Sequence, residues 1–257
     1  MSKHSIDDLR YLQGMPLNLK VRMTKQRVRE WVREFGEEGC CISFSGGKDS
    51  TVLLDIIRQD YPNIKAVFVD VPTQYPELRD FVKTFDNVDI VRPKMSFVQV
   101  CEKYGFPLVS KEVCQCVYEA KNGMRDGNVD TYRMRQLNGS VIDPNTGKKS
   151  AFNIPQWKFL LDAPFNVSHR CCGVMKKSPL HKYQKDHGYM LITAQMAEES
   201  RLRTQQWLIN SCNGFDMKSP ISNPMAFWKE QDVLQYIYDN NLPICSVYGD
   251  KIGRAHV

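Results

Sequence analysis

The pattern of apolar and polar positions changes character along the chain. Between Leu19 and Phe35 the apolar residues Val21, Val28, Trp31, Val32 and Phe35 fall at helical spacing, with Arg22, Lys25, Arg27, Arg29 and Arg33 between them. This predicts an amphipathic helix with a basic outer face, within a polar leader over residues 1–39. From Cys40 the pattern becomes strand, turn, helix. Cys40–Phe44 reads as a short buried strand, Ser45–Lys48 as a turn and Asp49–Gln59 as a helix. Strands follow at Lys65–Asp70, Val88–Val91 and Tyr189–Thr193. Helices are predicted over Pro76–Phe85, Phe97–Tyr104, Gln156–Leu161, Val174–His187, Glu198–Ile209 and Gln231–Asn240. Strands that alternate with helices imply right-handed crossovers and a parallel sheet, so the fold class is α/β and Rossmann-like, with helices on both faces.

Residues 110–152 interrupt that rhythm. Helical stretches at Lys111–Ala120 and Val129–Leu137 are followed by the turn signals Asn138-Gly139 and Asp143–Gly147. The reading is a helical insertion in a domain that spans 40–248, with a C-terminal helical part.

Composition narrows the class. The 257 residues are 42% hydrophobic and 25% charged, which excludes collagen-like, mucin-like and largely disordered chains. The apolar runs are only a few residues long, so no membrane partner is expected. The net charge of +6 suits an anionic ligand and permits nucleic acid, either tRNA or DNA. Nine cysteines and no apolar leader segment point to a reducing, cytoplasmic setting, where clustered thiols serve metal or redox chemistry.

The most informative string is Ser43-Phe44-Ser45-Gly46-Gly47-Lys48-Asp49-Ser50-Thr51. It follows an apolar strand and opens a helix. Two glycines let the backbone turn and approach a bulky anion, the helix start offers free N–H groups, and Lys48 adds a point charge. Hydroxyls of Ser45, Ser50 and Thr51 complete a pyrophosphate cradle. The spacing is not that of a Walker A loop. Asp70, at the end of the second strand, is placed to approach a nucleotide or hold Mg²⁺.

Here the chain resembles the PP-loop superfamily of adenine nucleotide alpha-hydrolases, and within it the phosphoadenosine phosphosulfate (PAPS) reductase family. Beyond Ser-Gly-Gly-Lys-Asp-Ser, the likeness is carried by Val69-Asp70 with Tyr75-Pro76-Glu77, and by Cys171-Cys172 with Lys176-Lys177 and Pro179-Leu180. Met196-Ala197-Glu198-Glu199-Ser200-Arg201 with Arg203, and Pro224, Trp228, Asp232-Val233 and Tyr236-Ile237, extend it to roughly residues 38–248. The resemblance implies an adenine nucleotide at the strand ends. Lys48, Asp49, Lys176 and Arg203 would be the catalytic groups, and Lys177 would help bind the anion. The intact loop is more like that of members that cleave ATP between the α- and β-phosphates than of those acting on ready-made sulfonucleotides. The expected cofactors are therefore ATP or PAPS with Mg²⁺, and the expected partners an unidentified sulfur donor or reductant. A homodimer is compatible with this.

The resemblance also makes Cys171, Cys172 and Cys212 candidate ligands of an iron–sulfur cluster, with Cys114, Cys116 and His169 as weaker candidates. Cys40, Cys41, Cys101 and Cys245 read as core residues. The sequence contains no Cys-x-x-Cys and no Glu-Cys-Gly-Leu-His segment, features that mark the two redox mechanisms of the family. The closing Ile252-Gly253-Arg254-Ala255-His256-Val257 does not continue the family pattern and reads like translated sequencing adapter. The expectation is a non-native or truncated tail over 249–257, with a Cys-x-x-Cys segment encoded beyond it.

Overall fold

The computed structural model describes residues 3–249; the expectation for the tail beyond Gly249 lies outside them. Helix α1 (Ile6–Gln13) opens on a Ser5–Asp8 capping box, and α2 (Leu17–Phe35) follows Pro16. Strand β1 (Cys40–Ser43) leads into α3 (Lys48–Arg58), β2 (Lys65–Val69), α4 (Pro76–Lys83) and β3 (Val88–Val91). Next come α5 (Phe97–Tyr104), α6 (Lys111–Arg125) and α7 (Tyr132–Asn138), then a 3-10 helix at Pro155–Asp162 and a π turn at Gly173–Lys177. Helix α8 (Ser178–His187), β4 (Met190–Ile192), α9 (Arg201–Asn210), β5 (Asn213–Gly214), β6 (Ile221–Ser222) and α10 (Glu230–Asp239) complete the order, with a last 3-10 turn at Ser246–Tyr248.

The chain divides into two compact units. The first comprises residues 1–92 and 180–257, the second 93–179. The insertion is therefore wider than the expected 110–152, because α5 and the Cys171–Lys177 turn fold with α6 and α7.

The first unit is built on a six-stranded sheet of order β3-β2-β1-β4-β6-β5. All pairings are parallel except β5 with β6. This is the expected α/β class, and its strand order reverses between β1 and β4. Open sheets of this kind bind ligands outside the carboxyl ends of the strands at such a reversal. The core packs Ile42 and Phe44 of the β1 segment against Val52, Leu53 and Ile56 of α3, with Trp31, Phe227 and Trp228 fully buried. The described part of the N-terminal helical leader folds with the first unit. Lys20 is buried and paired with Asp232 at 2.5 Å, and the Trp228 Nε1–H donates to Thr24 Oγ1 at 2.9 Å. Strands β5 and β6, absent from the sequence reading, are two residues each and too short to leave a periodic signal.

The second unit has its own small core of Val113, Cys116, Val117, Ala120, Met134, Leu137 and Leu160, drawn from α6, α7 and the 3-10 helix. Gly139, at φ +68, closes α7 in the left-handed conformation that an α-carbon without Cβ adopts at no cost.

Candidate functional site

The loop after β1 has the geometry of an anion cradle. Gly46 has φ +73, and a Cβ there would lie 2.9 Å from Val82 Cγ2, so both conformation and space demand glycine. Gly47 caps α3 in an extended conformation and accepts from Ser50 Oγ at 2.9 Å and Thr51 Oγ1 at 3.0 Å. Ser45 and Ser50 share a hydroxyl contact of 2.9 Å, and the Ser45 N–H donates to Ser50 Oγ. These bonds use the hydroxyls to brace the loop. The first-turn N–H groups at Lys48, Asp49 and Ser50 have no carbonyl one turn behind them and point, with the helix dipole, toward an incoming anion. Ser43 ends β1 and is half-buried in the sheet.

Two charged residues define the electrostatics. Lys48 Nζ stands 3.1 Å from Glu230 Oε1 and 3.6 Å from Asp49 Oδ1, and 6.0 Å from the ring centroid of Tyr248. Burial works against the Lys48 ammonium, but Asp49 and Glu230 outweigh it and lift its pKa above the ordinary lysine value. Burial lifts the Asp49 carboxyl above the usual carboxylate range; Lys48 pulls it down, and Glu199 and Glu230 add to the rise. Asp49 Oδ1 is buried and accepts no hydrogen bond. An orphaned carboxylate oxygen beside free N–H groups fits Mg²⁺, which takes one or two carboxylates and completes its shell with phosphates and water.

Asp70 lies at the carboxyl end of β2, as expected, and is ion-paired with two arginines: Arg79 Nε is 2.6 Å from Oδ1 and Arg92 Nε 2.9 Å from Oδ2. Only the Arg92 contact is a hydrogen bond; Oδ1, like that of Asp49, is buried without one. Arg203, at the start of α9, is ion-paired with Glu199 and lines a cavity of about 240 Å³ together with Gln195, Gln206, Asn223, Leu191 of β4 and Ile221 of β6. Cys212 lines the same cavity, but its side chain belongs to the core of the first unit. Burial pushes its thiol up to about 11.

In the second unit Cys171 and Cys172 are half-buried. With Cys114, His169 and Lys111 they line a cavity of about 230 Å³. Cys114 donates its S–H to the Leu108 carbonyl at 2.6 Å, and burial raises its pKa. Burial holds the His169 imidazole below its ordinary pKa, and its Nδ1 is buried without a partner. Cys116 belongs to the core, where burial raises its pKa as well. Lys176 and Lys177 lie on the π turn and are exposed. Among the described residues no three His, Cys, Asp or Glu side chains are grouped to hold a metal ion. A cluster needs four ligands, so the described donors do not complete an iron–sulfur site.

Sequence reasoning missed Glu230, Tyr248, Arg79 and Arg92. Only Glu230 carried a signal, as the acidic first turn of a helix whose Trp228 and Asp232 belong to the family pattern.

The comparisons with known proteins bear on the family. The family model described as "Phosphoadenosine phosphosulfate reductase domain" matches residues 39–120 and 125–254. Adenosine 5′-phosphosulfate reductases from two strains of Staphylococcus epidermidis are 24% identical over 216 residues, covering 84% of this chain and 68% of each relative. The crystal structure of phosphoadenylyl-sulfate reductase from Candida auris, a phosphate complex, aligns over 99% of this chain and 98% of that one at 16% identity, with a TM-score of 0.48. A family match across both units, together with an intact PP-loop at the sheet's reversal point, leads to one assignment: the chain belongs to the phosphoadenosine phosphosulfate reductase family.

Proposed function

We propose that the protein binds ATP–Mg²⁺ at the PP-loop and cleaves it between the α- and β-phosphates to activate a substrate for sulfur transfer. An acceptor oxygen attacks the α-phosphorus and pyrophosphate leaves. A sulfur nucleophile then attacks the adenylated carbon and AMP departs with the oxygen. The first-turn N–H groups of α3 and Lys48 would hold the pyrophosphate, and Asp49 would hold Mg²⁺, which neutralises the phosphate charge when bound. The observation that carries this reading is the buried Asp49 Oδ1, which accepts no hydrogen bond and has the Lys48 ammonium 3.6 Å away, on an intact Ser-Gly-Gly-Lys-Asp-Ser loop. On this reading the partners are an adenine nucleotide and a sulfur donor, and the setting is the cytoplasm. No helix among the described residues is long and apolar enough to cross a membrane.

A second reading, reduction of a sulfonucleotide to sulfite by a two-electron donor, is favoured by the names of the Staphylococcus relatives. Arg79 and Arg92, both in the first unit, would serve a sulfate or phosphate in that case. Calorimetric titration with ATP–Mg²⁺, adenosine phosphosulfate and PAPS separates the two. Tighter binding of ATP, with AMP and pyrophosphate formed in the presence of a sulfur donor and lost in Lys48→Ala, supports the first. Preference for a sulfonucleotide overturns it.

A further inference from the structure

The net positive charge of the protein belongs to its second unit. Residues 93–179 contain 13 Lys and Arg against 7 Asp and Glu, while the remainder contains 22 of each. The basic helix α2 does not contribute a free cationic face of comparable size. Lys25 and Arg29 both pair with Asp60, and Arg27 pairs with Glu30. In the second unit, among the described residues, only Arg133 and Arg135 pair with an acid, Glu119 and Asp130 respectively.

Some of these cations are interleaved with exposed aromatic rings at one place. Gly105 has φ +107, and its α-carbon approaches Asn166 so closely that a Cβ would lie 2.5 Å from the Asn166 carbonyl oxygen. The Phe106 N–H donates to that oxygen at 2.7 Å, and the Ser168 N–H donates to the Phe106 carbonyl at 3.0 Å. This backbone junction brings residues 103–106 against 165–170. Phe106 and Phe165, 44% and 41% exposed, meet edge to face with ring centroids 5.6 Å apart. Tyr104 has the Lys103 ammonium 5.4 Å and the Arg170 guanidinium 5.3 Å from its ring centroid. Arg125 reaches Asn166 Oδ1 at 3.5 Å from the end of α6.

We propose that this face of the second unit, centred on Tyr104, Phe106, Phe165, Lys103, Arg125 and Arg170, binds a single-stranded polynucleotide. Unpaired cations take the phosphates, and the exposed rings offer stacking surfaces to unpaired bases. Bases in a duplex present no free face to such rings, which selects the single strand. Binding here does not depend on which nucleotide occupies the PP-loop, so this inference and the proposed function fail separately.

The test is fluorescence anisotropy of the full chain with labelled oligo(dT), oligo(U) and a duplex of equal length, over a salt series. The same samples are titrated with ATP by calorimetry. The single strands are expected to bind more tightly than the duplex, with affinity falling steeply with salt; the oligo(dT) and oligo(U) arms show whether DNA or RNA is preferred. Combined Lys103→Gln, Arg125→Gln and Arg170→Gln should weaken binding about tenfold or more and reduce the salt slope by about 2, at roughly 0.7 per lost phosphate contact. Phe106→Ala should weaken binding about fivefold or more at every salt without changing the slope. ATP binding should be unchanged in all of them. If the triple variant loses its native circular dichroism, Arg170→Gln alone is read for the same directions. No binding at low salt, duplex preference, wild-type affinity in the charge variants, or equal affinity for polyglutamate with Phe106→Ala silent would each overturn the proposal.

Discussion

The Lys48 ammonium is 3.1 Å from the Glu230 carboxylate, a contact that joins the first residue of α3 to the first residue of α10. The lysine proposed to bind pyrophosphate is thus already engaged by an anion that a bound nucleotide would have to displace. Glu230 is largely exposed, so the pair is worth little on its own, but it competes directly with phosphate. Glu230→Gln is expected to tighten pyrophosphate binding about threefold, the scale of a solvent-exposed pair. Lys48→Ala should weaken it about tenfold or more, the loss of a charge-assisted hydrogen bond. Titration calorimetry of pyrophosphate and ATP against both variants gives the answer. Weaker binding in Glu230→Gln would show that Glu230 serves the bound state instead.

Asp49 carries a pH signature. Its carboxyl pKa is raised by burial, so the folded protein holds this proton more tightly than the unfolded chain does. The contribution favours folding below the ordinary carboxylate range and is lost as pH rises through the raised value. Asp49→Asn should therefore flatten that part of the stability profile and raise the melting temperature of the ligand-free protein at neutral pH. It should also abolish any Mg²⁺ dependence of nucleotide affinity. Thermal melts across the acid limb, with and without Mg²⁺ and ATP, measure both effects.

The parts of the site that sequence reveals are those whose chemistry is local. Gly46 with Gly47, a preceding apolar strand and a following helix are contiguous, and each demands the others: φ +73 at Gly46, the cap at Gly47, the free N–H groups beyond. Tyr248 and Arg92 reach their partners only through the fold, and nothing in their neighbours announces it; Glu230 shows only as the acidic first turn of its helix. Asp70 shows the converse. Its place at a strand end was legible, but the two guanidiniums that pair with it come from α4 and from the residue after β3. The second unit's outer limits were hidden because α5 has an ordinary apolar stripe and a Ser96–Gln99 capping box. Such a helix fits either unit. Without those limits the segregation of charge could not be counted.

Asp70→Asn tests the two ion pairs of Asp70 directly. Removing the charge leaves Arg79 and Arg92 with a weaker acceptor at the sheet edge. The cost is expected to be about 2 kcal/mol in chemical denaturation, the range of a hydrogen bond to a charged group. Magnesium dependence should stay as in the wild type, because both oxygens of Asp70 are already ion-paired with arginines. A selective loss of Mg²⁺-dependent binding with unchanged stability would restore Asp70 to the ligand site.

The cysteines should separate by environment. Cys171 and Cys172 are half-buried at a cavity wall, whereas Cys40, Cys41 and Cys212 are in the core. Burial pushes the thiols of Cys40 and Cys41 up to about 12 and that of Cys212 to about 11. Mass-spectrometric alkylation of the native protein should label Cys171 and Cys172 first and reach the other three only with global unfolding. For those three, the folded-state pKa is above the unfolded value. Their contribution to stability is intact below the ordinary thiol pKa and is lost as pH rises from there through about 11 to 12. Denaturation at increasing alkaline pH should show that decline.

The buried pair of Lys20 and Asp232 ties α2 to α10, the helix that presents Glu230 to Lys48. Lys20 is fully buried, and its ammonium also donates to the Gln13 carbonyl at 2.8 Å. Asp232 in turn accepts from the Lys229 N–H at 2.7 Å, closing the first turn of α10. Asp232→Ala should remove about 3–5 kcal/mol, because it strands a buried cation and opens the turn. The double variant Lys20→Met and Asp232→Leu removes both charges and should recover most of that loss, since an apolar pair of similar volume avoids desolvation. Urea denaturation of Lys20→Met, Asp232→Leu and the double variant forms a cycle that isolates the coupling. If residues 1–39 were a detachable leader, Asp232→Ala would behave as a surface change and the cycle would show no coupling.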